Sequence, residues 1–338
     1  VLKRPAAPPP IRTRQNVLKL KLDDDILFFF AKAIAKLQTR PITNPLSWNY
    51  QAAIHDYRPS SNDVTKGFVA VADAATITAN TNPSKMFWRA CQHQSWYFLP
   101  WHRMYLSFFE RIIMKIVVDE EKGPSDWALP YWNYSGTSQF GGLDFAKSSL
   151  LPEPFQSKSP RLRDGSPNPL FIPFRTPNAN AGSPFLSAAN VNTSTALGNS
   201  SFFAPAGTSS FGGSITKFNH FSDDPGAAAG LLELTPHGDI HSVTGPGPDR
   251  FMGSFTRAPL DPIFWLHHCN VDRLWEVWRK QPGHADPPQW TNPKTPDPIS
   301  FFFHDQDGNE RQMNASQVMD TKATPLGYEY DDITKPLT

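Results

Sequence analysis

A single, mainly helical domain is the fold class this chain predicts, on three observations. Apolar side chains recur at three- and four-residue steps after Asp23–Asp25, after His102, from about Leu231 to Val243 and from Pro262 to Lys280, which is the spacing of one helix face. Strict alternation, the mark of a strand, is confined to short pieces near the two ends. The helical stretches carry histidines in two comparable groups, and no other internal repeat is present.

Taken in order, residues 1–16 are rich in proline and basic side chains and predict an extended arm over the surface. VLKLKL at 17–22 alternates like a short strand. The acidic run Asp23–Asp25 suits the positive end of a helix, along which Ile26, Leu27, Phe30, Ile34 and Leu37 line one face. WNYQAAIHDY, around His55, predicts a second short helix; residues 59–84 read as polar and irregular. From His102, the residues Tyr105, Leu106, Phe109, Ile112, Ile113 and Ile116 predict a long helix, with Pro100 just ahead of it, where a missing N–H costs little. Residues 135–230, dominated by Ser, Pro, Gly, Asn and Phe, predict long packed loops rather than a second domain. The tail holds a strand-like FFFHD, a DGNE turn and GYEYDD.

With 39% hydrophobic and 13% aromatic residues the chain can bury a large core, and a net charge of +1 gives no reason to expect nucleic acid or a charged membrane as partner. No apolar run reaches the length of a membrane span. The chain starts at Val1 without a charged-then-apolar leader, so a trimmed mature start is expected. Two cysteines, Cys91 and Cys269, cannot form a disulfide framework. Sequons at Asn133, Asn192, Asn199 and Asn314 lean towards export and the cysteine usage leans away, which leaves the compartment open; the oligomeric state is open too.

The histidines carry the chemistry. His237 and His241 are four apart, so on a helix both imidazoles reach one ion. In DPIFWLHHCNVDRLW, residues 261–275, His268 shares a helical face with Asp272 and Trp275, while His267 points about a quarter-turn away. His268 is therefore the third ligand and His267 a supporting or packing neighbour. Asp272 is placed to accept from an imidazole and fix its tautomer. Upstream, His102 opens the long helix, His93 lies nine residues earlier beyond Pro100, and the third imidazole can come only from His55. His220, His284 and His304 sit in loops without partners at ligand spacing and read as surface residues. Ligation by imidazole alone argues against magnesium and calcium, which want oxygen. Two three-histidine sites without a catalytic carboxylate are unusual for zinc. Copper suits several imidazoles and cycles between two oxidation states, so two copper ions, O2 and small phenols are the expected cofactors, co-substrate and substrates.

These residues resemble the type-3 copper family of tyrosinases, catechol oxidases (polyphenol oxidases) and haemocyanins. Trp101–Glu110 resembles its W-H-R-x-Y-L-x-x-F-E signature, and Asp261–Asp272 its D-P-x-F-x-x-x-H-x-x-x-D signature. ALPYWNYSG at 128–136 and MDTKATPLGYEYDD at 319–332 resemble two further segments, the latter the tyrosine motif that closes the catalytic core. The resemblance implies a four-helix bundle with long loops and short peripheral strands, a dinuclear site with His55, His93 and His102 on copper A, and His237, His241 and His268 on copper B. It also implies a thioether between Cys91 and His93, leaving Cys269 a lone packed thiol. Residues 1–338 would form one catalytic domain with no C-terminal covering domain. Arg14 is expected to partner Tyr328 or Tyr330, tying the two ends together.

Three positions bear on which phenols react. Glu233, four before His237, resembles the family glutamate that holds a water. The position after the first copper B histidine is often Asn or Asp in strong monophenolases, and here it is Gly238. Phe255, thirteen before His268, resembles the gate over copper A, which is bulky in many plant catechol oxidases. The resemblance thus implies an o-diphenol oxidase with weak or lagging monophenol hydroxylation. The alternatives are a full tyrosinase, an o-aminophenol oxidase or, in another class, an oxygen carrier of the haemocyanin kind.

Overall fold

The computed structural model describes residues 10–336, apart from 68, 70, 80–86, 137–144, 206–207, 222, 248–249, 293 and 295–298. Helix α1 (Asp25–Thr39) begins after Asp24, whose carboxylate accepts the Lys21 N–H, and it buries Leu27, Phe30, Ile34 and Leu37, with Ile26 half covered. Helix α2 (Trp48–His55) is capped by Ser47, which accepts the Tyr50 N–H, and ends on His55. Helix α3 (Phe98–Lys115) starts four residues ahead of His102, so Pro100 lies inside its first turn rather than before it. The first N–H groups of a helix have no intrahelical acceptor, which is why the proline fits there.

The helical segment Glu233–Gly238 is kinked where Thr235 leaves helical geometry (φ −134°, ψ 123°) ahead of Pro236, and it runs into α4 (Asp239–Thr244). Helix α5 (Pro262–Arg279) has Pro262 in its first turn and Asp261 as cap, accepting the Ile263 N–H. Helices α3 and α5 pack through aromatic rings: Trp265 stacks on Phe109 and lies 4.8 Å from Tyr105. The fold is thus helix-rich, and α2, α3, the 233–244 segment and α5 surround the histidines.

Strands are short and peripheral. β1 (Arg12–Arg14) pairs in parallel with β4 (Tyr328–Tyr330), Arg14 opposite Tyr330; β2 (Ser300–His304) pairs antiparallel with β3 (Glu310–Asn314). The surface arm therefore needs correction: residues 1–9 lie outside the described residues, but Arg12 and Arg14 are buried in a strand. Residues 17–22 are not a strand either. Asn16 caps a single 3-10 turn at Val17–Lys19, accepting the Leu18 N–H, and that local bond outcompetes the alternation. Within 59–84, read as irregular, two helices form at Ser61–Thr65 and Val71–Ala79. Residues 135–230 are, as expected, mostly loops, with short helices such as Pro177–Ala181 and Ser194–Gly198. No helix among the described residues is long and apolar enough to cross a membrane.

Candidate metal centre

Six imidazoles from five segments converge in the interior. His55 closes α2, His93 sits on the loop before α3, His102 is one turn into α3, His237 and His241 flank the start of α4, and His268 is at the middle of α5. In the first group the ring centroids are 5.2–5.6 Å apart (His55–His93 5.3 Å, His93–His102 5.2 Å, His55–His102 5.6 Å). In the second, His237 lies 4.7 Å from His241 and 5.0 Å from His268, and the Nε2 atoms of His241 and His268 are 3.4 Å apart. Within each group one ligand atom per residue lies within 4.8 Å of the others. The groups face each other, since His102 stacks on His268 at 4.4 Å with the planes 8° apart.

Backbone carbonyls orient three of the rings. His102 Nδ1 donates to Phe98 O (2.8 Å), His237 Nδ1 to Glu233 O (2.9 Å) and His241 Nδ1 to Met252 O (2.7 Å). Their Nε2 atoms are thereby left as lone-pair donors pointing inward. His102 Nε2, His237 Nε2 and both nitrogens of His55 are buried without a hydrogen-bond partner. Orphaned imidazole nitrogens are costly unless something binds them, and a metal ion is what such a set fits. Burial holds the rings neutral, pushing His102 down to about 3 and His241 to about 4, the protonation state a metal ligand needs.

His267 also comes close to the second group. Its ring stacks on His237 at 5.4 Å, faces Tyr134 at 5.6 Å, and has no hydrogen bond at either nitrogen. Asp272 does not fix an imidazole. Its carboxylate accepts from Arg103 Nε (2.5 Å), Arg14 Nη1 (3.4 Å), Tyr328 OH (2.6 Å) and Tyr330 OH (2.5 Å), because one turn further along α5 it meets two buried guanidiniums that need a counter-charge. Arg14 meets both tyrosines, donating to Tyr330 OH (2.9 Å) with its guanidinium 3.6 Å over the Tyr328 ring.

Two histidines expected in surface loops are buried, and one of them, His304, ends strand β2. His304 lies 3.4 Å from Tyr50 OH and packs on Phe87. His220 is 7% exposed; its Nε2 sits 3.1 Å from Asp56 and its Nδ1 lies 3.0 Å from Cys91 O and 3.3 Å from Cys91 Sγ. Its neighbour Asn219 accepts the His93 N–H (3.1 Å) and donates to His93 O (2.7 Å), so the 219–220 segment clamps the loop bearing His93. Its partners are more than a hundred residues away, and the only signal in the sequence was the flanking pair Phe218 and Phe221. Both cysteines are buried and free of disulfide, as expected.

A cavity of about 420 Å³ opens onto the two groups, lined by His55, His93, His237, His241, Glu233, Gly238 and Phe255 among others. Phe255 covers the first group, 4.8 Å from His93 and 5.3 Å from His55. Gly238 has helical geometry, and a Cβ there would meet only Glu233 O at 3.4 Å. Both Glu233 carboxylate oxygens accept the Gln94 N–H (2.8 and 3.1 Å), and burial pushes its pKa up to about 8 despite those bonds.

That raised pKa has a stability consequence with a definite sign. Between the ordinary value of 4.5 and about 8 the folded state keeps a proton that the unfolded state has lost, so stability falls as pH rises through that window. Relative to Glu233→Gln, the metal-free protein is expected to lose on the order of 1–4 kcal/mol between pH 5 and pH 8.5. Thermal melts of the two metal-free proteins at both pH values check this; parallel pH profiles would show that Glu233 ionises normally.

A match to the model of the common central domain of tyrosinase spans residues 45–281, which takes in all six of these histidines. The chain belongs to the tyrosinase family. It is 38% identical over 327 residues to tyrosinase HcTyr1 of Hahella sp. (strain CCB-MM4), covering 95% of this chain and 63% of that one. Aureusidin synthase of Antirrhinum majus is 29% identical over 344 residues, with 97% of this chain and 54% of the relative covered. Among solved structures, latent apple tyrosinase superposes with a TM-score of 0.66 at 24% identity, over 97% of this chain and 64% of that one, a likeness of fold. The chain thus spans 63% of the Hahella relative and little more than half of the Antirrhinum one. Family members are type-3 copper oxidoreductases with two copper ions, and the two histidine groups fit that pair.

Proposed function

We propose that this chain oxidises o-diphenols to o-quinones with O2, and hydroxylates monophenols only weakly or after a lag. His55, His93 and His102 would hold copper A, and His237, His241 and His268 copper B. Bound there, the pair of coppers supplies O2 binding and two-electron exchange. Two o-diphenols and one O2 then give two o-quinones and two waters.

The observation that carries the diphenolase reading is the absence of a side chain at Gly238, beside His237 and within reach of Glu233. A monophenol must lose its proton before it can be hydroxylated, and the Glu233 carboxyl, which already accepts the Gln94 N–H, has no side chain at Gly238 to work with. A polar residue beside it would help hold and polarise a water; glycine cannot. Phe255 supports the same reading by narrowing the approach over His55 and His93. The 38% identity to a protein named a tyrosinase favours the rival, full monophenolase activity.

Oxygen uptake by the copper-loaded protein with 4-methylcatechol and with p-cresol tests the two. Rapid uptake with the diphenol and at least about tenfold slower uptake with the phenol is expected, and Gly238→Asn should raise the monophenol rate about tenfold. Comparable rates on both substrates in the unmodified protein would make it a full tyrosinase. Copper–dioxygen absorption without quinone formation would make it a carrier.

The Cys91–His93 thioether is part of the same proposal: the Cys91 S–H and a ring C–H of His93 would be replaced by a C–S bond, with O2 as the two-electron oxidant, which locks the ring and removes a thiol from an oxidising site. The copper-loaded protein is expected to be lighter than its sequence mass by two hydrogens, with the crosslink mapping to the 91–93 peptide. An intact mass that matches the sequence would leave Cys91 a thiol held at His220.

A further inference from the structure

Few large apolar side chains are exposed among the described residues, and two of these few share one cavity. Among the described residues five stand substantially exposed, and two of them, Phe221 (50% exposed) and Leu234 (55%), line the cavity that opens on the histidines. Water-exposed apolar groups at the mouth of a polar site cost free energy unless something covers them, and such patches mark contact surfaces. Phe221 is not isolated. Its ring lies 4.9 Å from Phe255, which lies 4.8 Å from His93, so a row of rings runs from the histidines to the surface.

The size and charge of the cavity narrow the occupant. About 420 Å³ exceeds what a single phenol ring needs and falls in the ~300–1,000 Å³ range of pockets that take larger organic ligands. Besides histidines, the only ionisable side chains among the described lining residues are Glu233 and Asp239, so a carboxylate on an outer ring, away from the coppers, would find no cationic side chain there.

We propose that Phe221 and Leu234 form an outer subsite for the second ring of an uncharged two-ring o-diphenol, whose catechol ring lies against the histidines beneath Phe255. The proposal rests on the o-diphenol reading above. The second ring would pack edge-on or offset against Phe221 and cover Leu234, removing both from water. The two residues are specificity-determining: they touch the substrate body and not its reacting oxygens.

The test compares 4-phenylcatechol, 4-methylcatechol and 3,4-dihydroxyphenylacetate on the copper-loaded protein and on the Phe221→Ser/Leu234→Ser variant. Both positions are half exposed, so the variant is expected to fold, which circular dichroism checks. The ratio of kcat/KM for 4-phenylcatechol to that for 4-methylcatechol should exceed one in the parent and fall about tenfold in the variant, through KM. The carboxylate should be the poorest of the three. An unchanged ratio overturns the subsite, and a carboxylate turned over as well as 4-methylcatechol overturns the requirement for an uncharged substrate. Equilibrium dialysis of the two neutral catechols under argon separates this from failure of the o-diphenol reading. If neither is oxidised, that reading fails, yet tighter binding of 4-phenylcatechol that is lost in the variant still supports the subsite. Equal binding of the two overturns it.

Discussion

His268→Ala should leave a folded chain that holds about one copper instead of two and oxidises o-diphenols at least ~10³-fold more slowly, whereas His267→Ala should keep both coppers. The two neighbours are buried on one helix, and both approach His237, so burial does not separate them. Direction does. His268 Nε2 lies 3.4 Å from His241 Nε2, and its ring stacks on His102 of the opposite group, which puts it between the two triads. His267 stacks on His237 and lies 5.6 Å from Tyr134, and although its ligand atom also falls within 4.8 Å of the second group, it is expected to position His237 and leave the ion to His268. Copper per chain by atomic absorption, with circular dichroism to show folding, decides the matter. Loss of one copper from His267→Ala and not from His268→Ala would exchange their roles.

The parts of this molecule that were legible in the sequence are those governed by local repetition. Burial of one helix face forces three- and four-residue spacing, so α1, α3 and α5 could be read from Leu27, Phe109 or Leu274 and their neighbours. The same periodicity put His237 beside His241, and both neighbours on α5 come up to them, His268 at 5.0 Å from His237 and His267 at 4.8 Å from His241. What escaped was set by contacts distant in sequence. Arg12 belongs to a Pro-rich arm that looks solvated, yet Glu110 lies 3.2 Å from it and draws it inside; for Arg14 the tyrosine partners were legible, and its ion pair with Glu110 at 2.5 Å was not. His220 had no spacing to betray it, because Asp56 and Cys91 reach it from the far side of the chain. Asp272 illustrates the opposite error. Its place one turn from His268 suggested a role in holding an imidazole, a task that backbone carbonyls perform at His102, His237 and His241.

Asp272→Ala is expected to destabilise the metal-free protein by about 3–5 kcal/mol, the usual cost of stranding a buried charge. Arg14 and Arg103 are fully buried, and the Asp272 carboxylate is their shared acceptor, with Glu110 and Glu276 on the outer sides. Burial alone would raise the pKa of Asp272, but Arg103, Arg14 and the two tyrosine hydroxyls outweigh it and hold the carboxyl below its ordinary value. A depressed carboxyl contributes stability that is present above the unfolded pKa and is lost as pH falls through the folded one, so the deficit of the variant should shrink in acid. Urea titrations of parent and variant at pH 7 and at steps well below 3.8, the ordinary value of the carboxyl, measure this, and a deficit that never shrinks while the parent stays folded would locate the effect in packing rather than charge. Asp272→Asn separates structure from metal binding. It keeps the shape and loses the charge, so it should melt lower than the parent while still holding two coppers. Were Asp272 the group that orients a copper ligand, the same change would instead weaken metal affinity by roughly 10–100-fold. The network joins β1 to α5 through Arg14, and to β4 through Tyr328 and Tyr330, and its loss should free both ends of the chain from the helix that bears His268.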